Sequence, residues 1–192
     1  MMVKICGITN LDDAIAAVDG GAQAVGFNFW PHSPRYIAPD AAARVIARLP
    51  AAVWKVGVFV DEDRDAVASI ARTAGLDVVQ LHGRETASQF PDVPRVWKAV
   101  RITADFDPGS LDQYPAEAIL LDGPANGVTF DWTHAAASSK KIIIAGGLDA
   151  SNVRRAIELA KPWGVDACSL LENAPGKKDH VKMAEFLKAA LS

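Results

Sequence analysis

Cys6 and Asp122 are the two side chains whose type and position best suit proton transfer. Cys6 closes the run Val3-Lys4-Ile5-Cys6. A thiolate at a strand end can serve as nucleophile, base or metal ligand, and a helix N-terminus a few residues on would favour it. On periodicity alone, a cysteine in an apolar strand reads first as buried filler. Asp122 follows Ile119-Leu120-Leu121 and precedes Gly123. A carboxyl there suits a general acid or base, and it equally suits a turn cap. Gly146-Gly147 follows Ile144-Ala145. Paired glycines let backbone amides approach an anion, or simply make a tight turn. Arg35 lies in the proline-stiffened loop Pro31-His32-Ser33-Pro34-Arg35-Tyr36. It could grip a carboxylate or phosphate in two places, or be a solvated loop arginine. His82 ends Gln80-Leu81-His82 and could donate to a substrate or satisfy a loop carbonyl.

These residues need elements to position them. Eight short runs rich in β-branched and aliphatic residues recur along the chain: Val3–Cys6, Ala24–Phe29, Val53–Val60, Val78–Leu81, Val96–Val100, Ala118–Leu121, Lys141–Ala145 and Val165–Ser169. Helical spacing is seen over Leu11–Val18, Pro39–Leu49, Asp63–Ala74, Ala150–Lys161 and Asp179–Leu191. Shorter helices are expected over Glu85–Phe90, Gly109–Gln113 and Trp132–Ala137. Strand–helix alternation implies parallel pairing with right-handed crossovers. Eight units in 192 residues allow a lean single-domain (β/α)8 TIM barrel with clipped helices. An open doubly wound sheet is the alternative. No G-x-G-x-x-G follows the first strand, which disfavours dinucleotide binding.

In a barrel, function sits at the C-terminal strand ends, and the loops after strands seven and eight are the usual phosphate site. The glycine pair falls there. Alternation turns Val3 and Ile5 toward helices, and Lys4 and Cys6 inward. A buried Lys4 needs a partner, and Asp166 on the adjoining eighth strand is the candidate.

Composition narrows the partners. The net charge is −3, half the residues are apolar and 22% are charged. Nothing advertises a nucleic-acid or membrane face, so an anionic ligand must be held by a local site. Two cysteines exclude a disulfide framework and a multi-cysteine zinc site, and no pair of histidines has metal-ligand spacing. With no signal-like segment at Met1 to Asn10 and no long apolar run, a reducing cytoplasm is expected.

Several strings occur in a specific order: Lys4-Ile5-Cys6-Gly7-Ile8-Thr9, Gly26-Phe27-Asn28-Phe29 with Ser33-Pro34-Arg35-Tyr36, Lys55-Val56-Gly57-Val58-Phe59-Val60, Gln80-Leu81-His82-Gly83, Thr129-Phe130-Asp131-Trp132 and Ala145-Gly146-Gly147-Leu148. With them the chain resembles the phosphoribosylanthranilate isomerases of tryptophan biosynthesis, from about residue 3 to about residue 190. The resemblance implies a (β/α)8 barrel that needs no metal or organic cofactor. It implies an Amadori rearrangement, an aldose-to-ketose isomerisation of N-(5'-phosphoribosyl)anthranilate. It makes Cys6 the general base and Asp122 the general acid, which must start protonated. Arg35 would orient the anthranilate end, with His82 also on the substrate. Gly146, Gly147 and Ser169 would meet the phosphate.

Two departures stand out. Leu170 occupies a position where the family commonly has glycine, which bears on phosphate binding if that position needs positive φ. Val128 stands where lysine is frequent, and Asn126-Gly127 is expected to form the turn. The competing functions are a related or bifunctional phosphosugar isomerase, which usually relies on two rim aspartates, and a non-catalytic phosphosugar-binding barrel. The partner is expected to be a small molecule, and the chain a monomer or homodimer.

Overall fold

The structure is a computed structural model. It describes every residue except Asn126, and every side chain among these except those of Ala136 and Ala137. The expected Asn126-Gly127 turn therefore lies partly outside the described residues.

Eight parallel strands close into a barrel in chain order. They are β1 (Met2–Ile5), β2 (Ala24–Asn28), β3 (Trp54–Phe59), β4 (Val78–Leu81), β5 (Val96–Arg101), β6 (Ala118–Asp122), β7 (Lys141–Ile144) and β8 (Gly164–Ala167). Strands β1 and β8 pair in register from Met2↔Gly164 to Ile5↔Ala167, which completes the closure. All eight expected runs are strands, with ends moved by a residue or two. The open-sheet alternative is excluded.

The outer layer is α1 (Leu11–Asp19), α2 (Pro39–Ile46), α3 (Arg64–Ala74), α4 (Val153–Ala160) and α5 (His180–Leu191). Local chemistry sets their ends. Asn10, Asp63 and Asp179 accept from first-turn amides, each such cap contributing about 1 kcal/mol. Gly75 at φ +74° ends α3 in the left-handed conformation that glycine adopts without strain. Three connections carry 3-10 turns in place of α-helices: Ala87–Gln89, Pro108–Gln113 and Trp132–Ala137. Helix α4 begins three residues later than Ala150. The side chains of Asp149 and Asn152 bond the local backbone and hold residues 149–152 as a turn.

Period-two alternation separates two cores. Val3, Ile5, Val25, Phe27, Leu121 and Val165 face the helices. Ala24, Val56, Val78, Trp97, Leu120 and Ile143 fill the interior. At the N-terminal end, Trp54, Trp97 and Trp163 contact one another with ring centroids 5.7–5.9 Å apart. Arg95 lies over Trp54 and Lys141 over Trp163. That end is a packed aromatic layer, and the inward residues become polar only toward the C-terminal mouth.

The chain adds one element with no counterpart in the sequence expectation. Strands β9 (Glu172–Ala174) and β10 (Lys177–Lys178) form an antiparallel hairpin after β8. Its residues are mostly charged and too few to make a periodic signal. Among the described residues no helix is long and apolar enough to cross a membrane.

Candidate active site

A cavity of about 600 Å³ opens at the C-terminal mouth. Cys6, Arg35, His82, Asp122, Gly146, Gly147 and Ser169 all line it. Each side chain is delivered by a strand end or by the loop that follows, as alternation and barrel geometry require.

Cys6 follows β1, and its amide donates to Ala167 O at 2.9 Å. Its sulfur lies over Gly26 of β2, where a Cβ would stand 2.8 Å away. Lys4, one inward position deeper, is fully buried and ion-paired with Asp166 Oδ1 at 2.9 Å. The pair expected from strand adjacency is thus formed. Burial opposes the charge on Lys4, but Asp166 and Cys6 hold it protonated, above the ordinary lysine value. Burial pushes the Asp166 carboxyl up to about 7, with Lys4 opposing.

The Cys6 thiol is held well below its ordinary value. The largest cause is a hydrogen bond from Cys168, and burial opposes it. The charges of Lys4 and Lys178 add to the lowering. Helix α1 begins at Leu11 behind its Asn10 cap, where the sequence spacing expected it. The thiolate is favoured by neighbouring side chains.

Asp122 ends β6. Its Oδ1 accepts from Gly123 N at 2.9 Å, and its Oδ2 lies 3.3 Å from His82 Nε2. His82 Nδ1 in turn lies 3.3 Å from Gln80 Nε2. The carboxyl is thus part acceptor for its own turn and part partner of an imidazole, while 19% of its side chain remains exposed to the cavity. Gly146 explains why the site needs glycine after β7. At φ +79°, an added Cβ would stand 2.3 Å from Gly123 N and 2.9 Å from Asp122 Oδ1. Gly147, at φ +65°, would place a Cβ 2.8 Å from Gly127 O. The two loops interlock and fix the carboxyl.

Among the described residues, the amides of Gly146, Gly147, Ser169 and Leu170 have no protein acceptor. Leu170 sits in a 3-10 turn, Ser169–Leu171. Among the described residues only Asp61 and Lys161 are non-glycine residues with positive φ. Leu170 is therefore unstrained, and the expected backbone penalty of replacing glycine is absent. Its side chain is 38% exposed and lines the mouth.

Arg35 departs from the picture of a free substrate arginine. Its Nε and Nη2 bond the Glu172 carboxylate at 2.7–3.1 Å. Glu172 also accepts from Lys178 Nζ at 2.9 Å and from Gly176 N at 3.3 Å. Burial opposes the negative charge of Glu172, while Arg35 and Lys178 hold its carboxyl below the ordinary glutamate value. Among the described residues Arg35 Nη1 has no acceptor, so one edge of the fork faces the cavity. The β9–β10 hairpin is thus a clamp that fixes the arginine's plane.

Several site residues escaped the sequence reasoning. Arg101 lines the cavity, and inward alternation from Trp97 and Ala99 would have found it. Gln80 is 1% exposed and lines the cavity, with Oε1 lacking a partner among the described residues. The same alternation from Val78 points to it. Glu172 and Lys178 carry no local signal, because they come from the unexpected hairpin. Among the described residues no group of three or more His, Cys, Asp or Glu side chains could hold a metal ion.

The comparisons agree with this geometry. The family described as N-(5'phosphoribosyl)anthranilate (PRA) isomerase matches residues 3–189. The N-(5'-phosphoribosyl)anthranilate isomerase of Solibacter usitatus is 56% identical over 196 residues, covering 99% of this chain and 97% of that protein. The crystal structure of phosphoribosyl anthranilate isomerase from Thermus thermophilus superposes with a TM-score of 0.92 at 36% identity, covering 100% of this chain and 98% of that one. The enzyme from Thermotoga maritima superposes with a TM-score of 0.89 at 39% identity, with the same coverage. A closed eight-stranded barrel, a mouth lined by thiol and carboxyl, and a family match over nearly the whole length converge: this chain belongs to the N-(5'-phosphoribosyl)anthranilate isomerase family.

Proposed function

We propose that Cys6 and Asp122 carry this family's isomerisation in this chain, converting N-(5'-phosphoribosyl)anthranilate to 1-(o-carboxyphenylamino)-1-deoxyribulose 5-phosphate. The single supporting observation is that a thiol held low and a carboxyl line one cavity from β1 and β6.

The chemistry needs both groups. Asp122 gives a proton to the ribose ring oxygen as the C1′–O bond breaks, and the anthranilate nitrogen pair forms the Schiff base. That electron sink makes the C2′ hydrogen acidic. The Cys6 thiolate removes it, and the electron pair flows back to nitrogen to give an enolamine. The enolamine tautomerises to the ketone, C1′ gaining the proton that the C2′ hydroxyl gives up. A general acid and a general base of this kind each contribute about 10²–10⁴-fold. The amides of Gly146, Gly147, Ser169 and Leu170 supply donors for the 5′-phosphate. The free edge of Arg35 faces the anthranilate carboxylate, and His82 bridges Asp122 to the substrate.

In this reading no cofactor is called for. The chain works as one domain in the cytoplasm, as a monomer or homodimer, on a small-molecule substrate.

The test follows substrate fluorescence with purified protein. Cys6→Ala and Asp122→Val are expected to keep the circular dichroism of the fold and to lose at least about 10²-fold in turnover. Either variant turning over at the unmodified rate overturns the assignment.

A further inference from the structure

The mouth holds both of the chain's cysteines, and the proposed reaction uses only one of them. Strands β1 and β8 are in register through Ile5↔Ala167. The next pair in that register is Cys6 and Cys168, on the inward side of both strands. Each lines the cavity and is partly exposed to it. The Cys168 sulfur stands 2.8 Å from where a Gly7 Cβ would be, next to the Cys6 peptide. On its other side the Cys168 S–H also reaches an acceptor, Glu172 Oε1 at 3.9 Å, and Lys178 Nζ donates to the Cys168 sulfur at 3.8 Å.

From this placement we propose that Cys168 is a positioning residue for the base, its S–H donating to the Cys6 sulfur so that one proton is held between two thiols and resides on Cys168. The proposal rests on Cys6 being the base of the reaction above, though the pairing itself can be tested without turnover.

The charges around the pair decide where the proton sits. Lys4 lies beneath Cys6 on β1, and Asp166 beneath Cys168 on β8. Lys178 on β10 and Arg35 on the loop after β2 bring positive charge to the upper side, and Glu172 on β9 faces Cys168. The asymmetry comes from Lys4, whose Nζ and the Cys6 sulfur both lie within 3.1 Å of where a Gly26 Cβ would stand, whereas at the Cys168 sulfur Lys178 at 3.8 Å and Glu172 at 3.9 Å offset each other. A thiolate at Cys6 is attracted by Lys4, and one at Cys168 gains no such net attraction. The directions of titration agree. Cys6 is held low, and Cys168 is pushed well above its ordinary value, first by its bond to Cys6 and then by burial. In the reaction, Cys6 takes the C2′ proton while Cys168 keeps its own, so the base stays aimed and charged between turnovers.

The test is a thiolate titration by ultraviolet absorbance, paired with the pH dependence of kcat/KM. The unmodified protein is expected to ionise in two separated steps, one well below and one above the ordinary cysteine value. Cys168→Ala is expected to move the low step, and the acid limb of kcat/KM, up by about one pH unit, which is about tenfold less thiolate on that limb. KM should hardly move. Cys168→Ser keeps an O–H donor and is expected to return the low step toward its original position. Two thiols ionising together near the ordinary value overturn the proposal even if no variant folds. So does a Cys168→Ala low step that stays in place, or a Ser variant that behaves like Ala. If Cys6→Ala retains turnover while the two-step titration holds, the catalytic assignment fails and the thiol pairing stands.

Discussion

Glu172 gives the sharpest test of how the hairpin clamp works. Glu172→Ala removes the acceptor of Arg35 and of Lys178 at once. The two losses are unequal. The Arg35 side chain is 17% exposed and can regain water. The Lys178 side chain is 0% exposed and keeps only Cys168 O at 3.2 Å and the Cys168 sulfur at 3.8 Å among the described residues. Stripping a buried charge of its partner costs roughly 3–5 kcal/mol. The retained carbonyl contact and the adjoining cavity put the expectation at the lower end, about 3 kcal/mol. For a chain of this size that is a drop in Tm of roughly 6–12 °C. Thermal and urea unfolding followed by circular dichroism measure it. Adding Lys178→Met removes the orphaned cation, so the double variant should recover at least half of the loss. In the same single variant KM should rise more than kcat falls, because Arg35 loses its fixed plane. A single variant within about 0.5 kcal/mol of the unmodified chain, or a double variant no more stable than the single, would refute the reasoning.

Gly146→Ala forces positive φ on a side-chain residue and drives a Cβ into Gly123 N and the Asp122 carboxyl. It should cost about 1–3 kcal/mol and lower kcat by displacing the acid, whereas Gly109→Ala, where a Cβ would meet only the Asp107 carboxylate at 3.4 Å, should do neither. Melting temperatures and steady-state rates of the two variants side by side decide the matter. Burial works against the Asp13 charge, yet Lys178 N–H, His180 and Asn10 bond its carboxylate and hold it below the ordinary value. A depressed carboxyl contributes stability above its unfolded value of about 3.9, and that contribution is lost as pH falls through the folded value. Asp13→Asn should therefore flatten the acid limb of Tm against pH, and an unchanged limb would assign that limb to other groups.

The barrel was legible because each strand carries its own instructions. Val3 and Ile5 against Lys4 and Cys6 already separate the helix-facing side from the interior. Strand adjacency in a closed ring then gave Lys4 with Asp166. The same adjacency, carried two residues on, gives Cys6 with Cys168, a step that sequence reasoning did not take. Gly146 and Gly147 were readable by type and place, since no other residue suits such an approach. What lay hidden depends on chain returning from afar. Arg35 meets Glu172 across 137 residues, and a short charged hairpin announces nothing by periodicity. The backbone angle at Leu170 was likewise invisible, because a leucine in place of glycine reports a substitution and not the turn that accommodates it.

The tryptophan layer at the N-terminal end has a kinetic consequence. With Trp54, Trp97 and Trp163 packed across the floor, the cavity among the described residues opens at the opposite, C-terminal mouth. Substrate and product must use it by turns. The ketose has to vacate before the next aldose enters, so accumulated product competes for the same seat and the reaction throttles itself as its output builds.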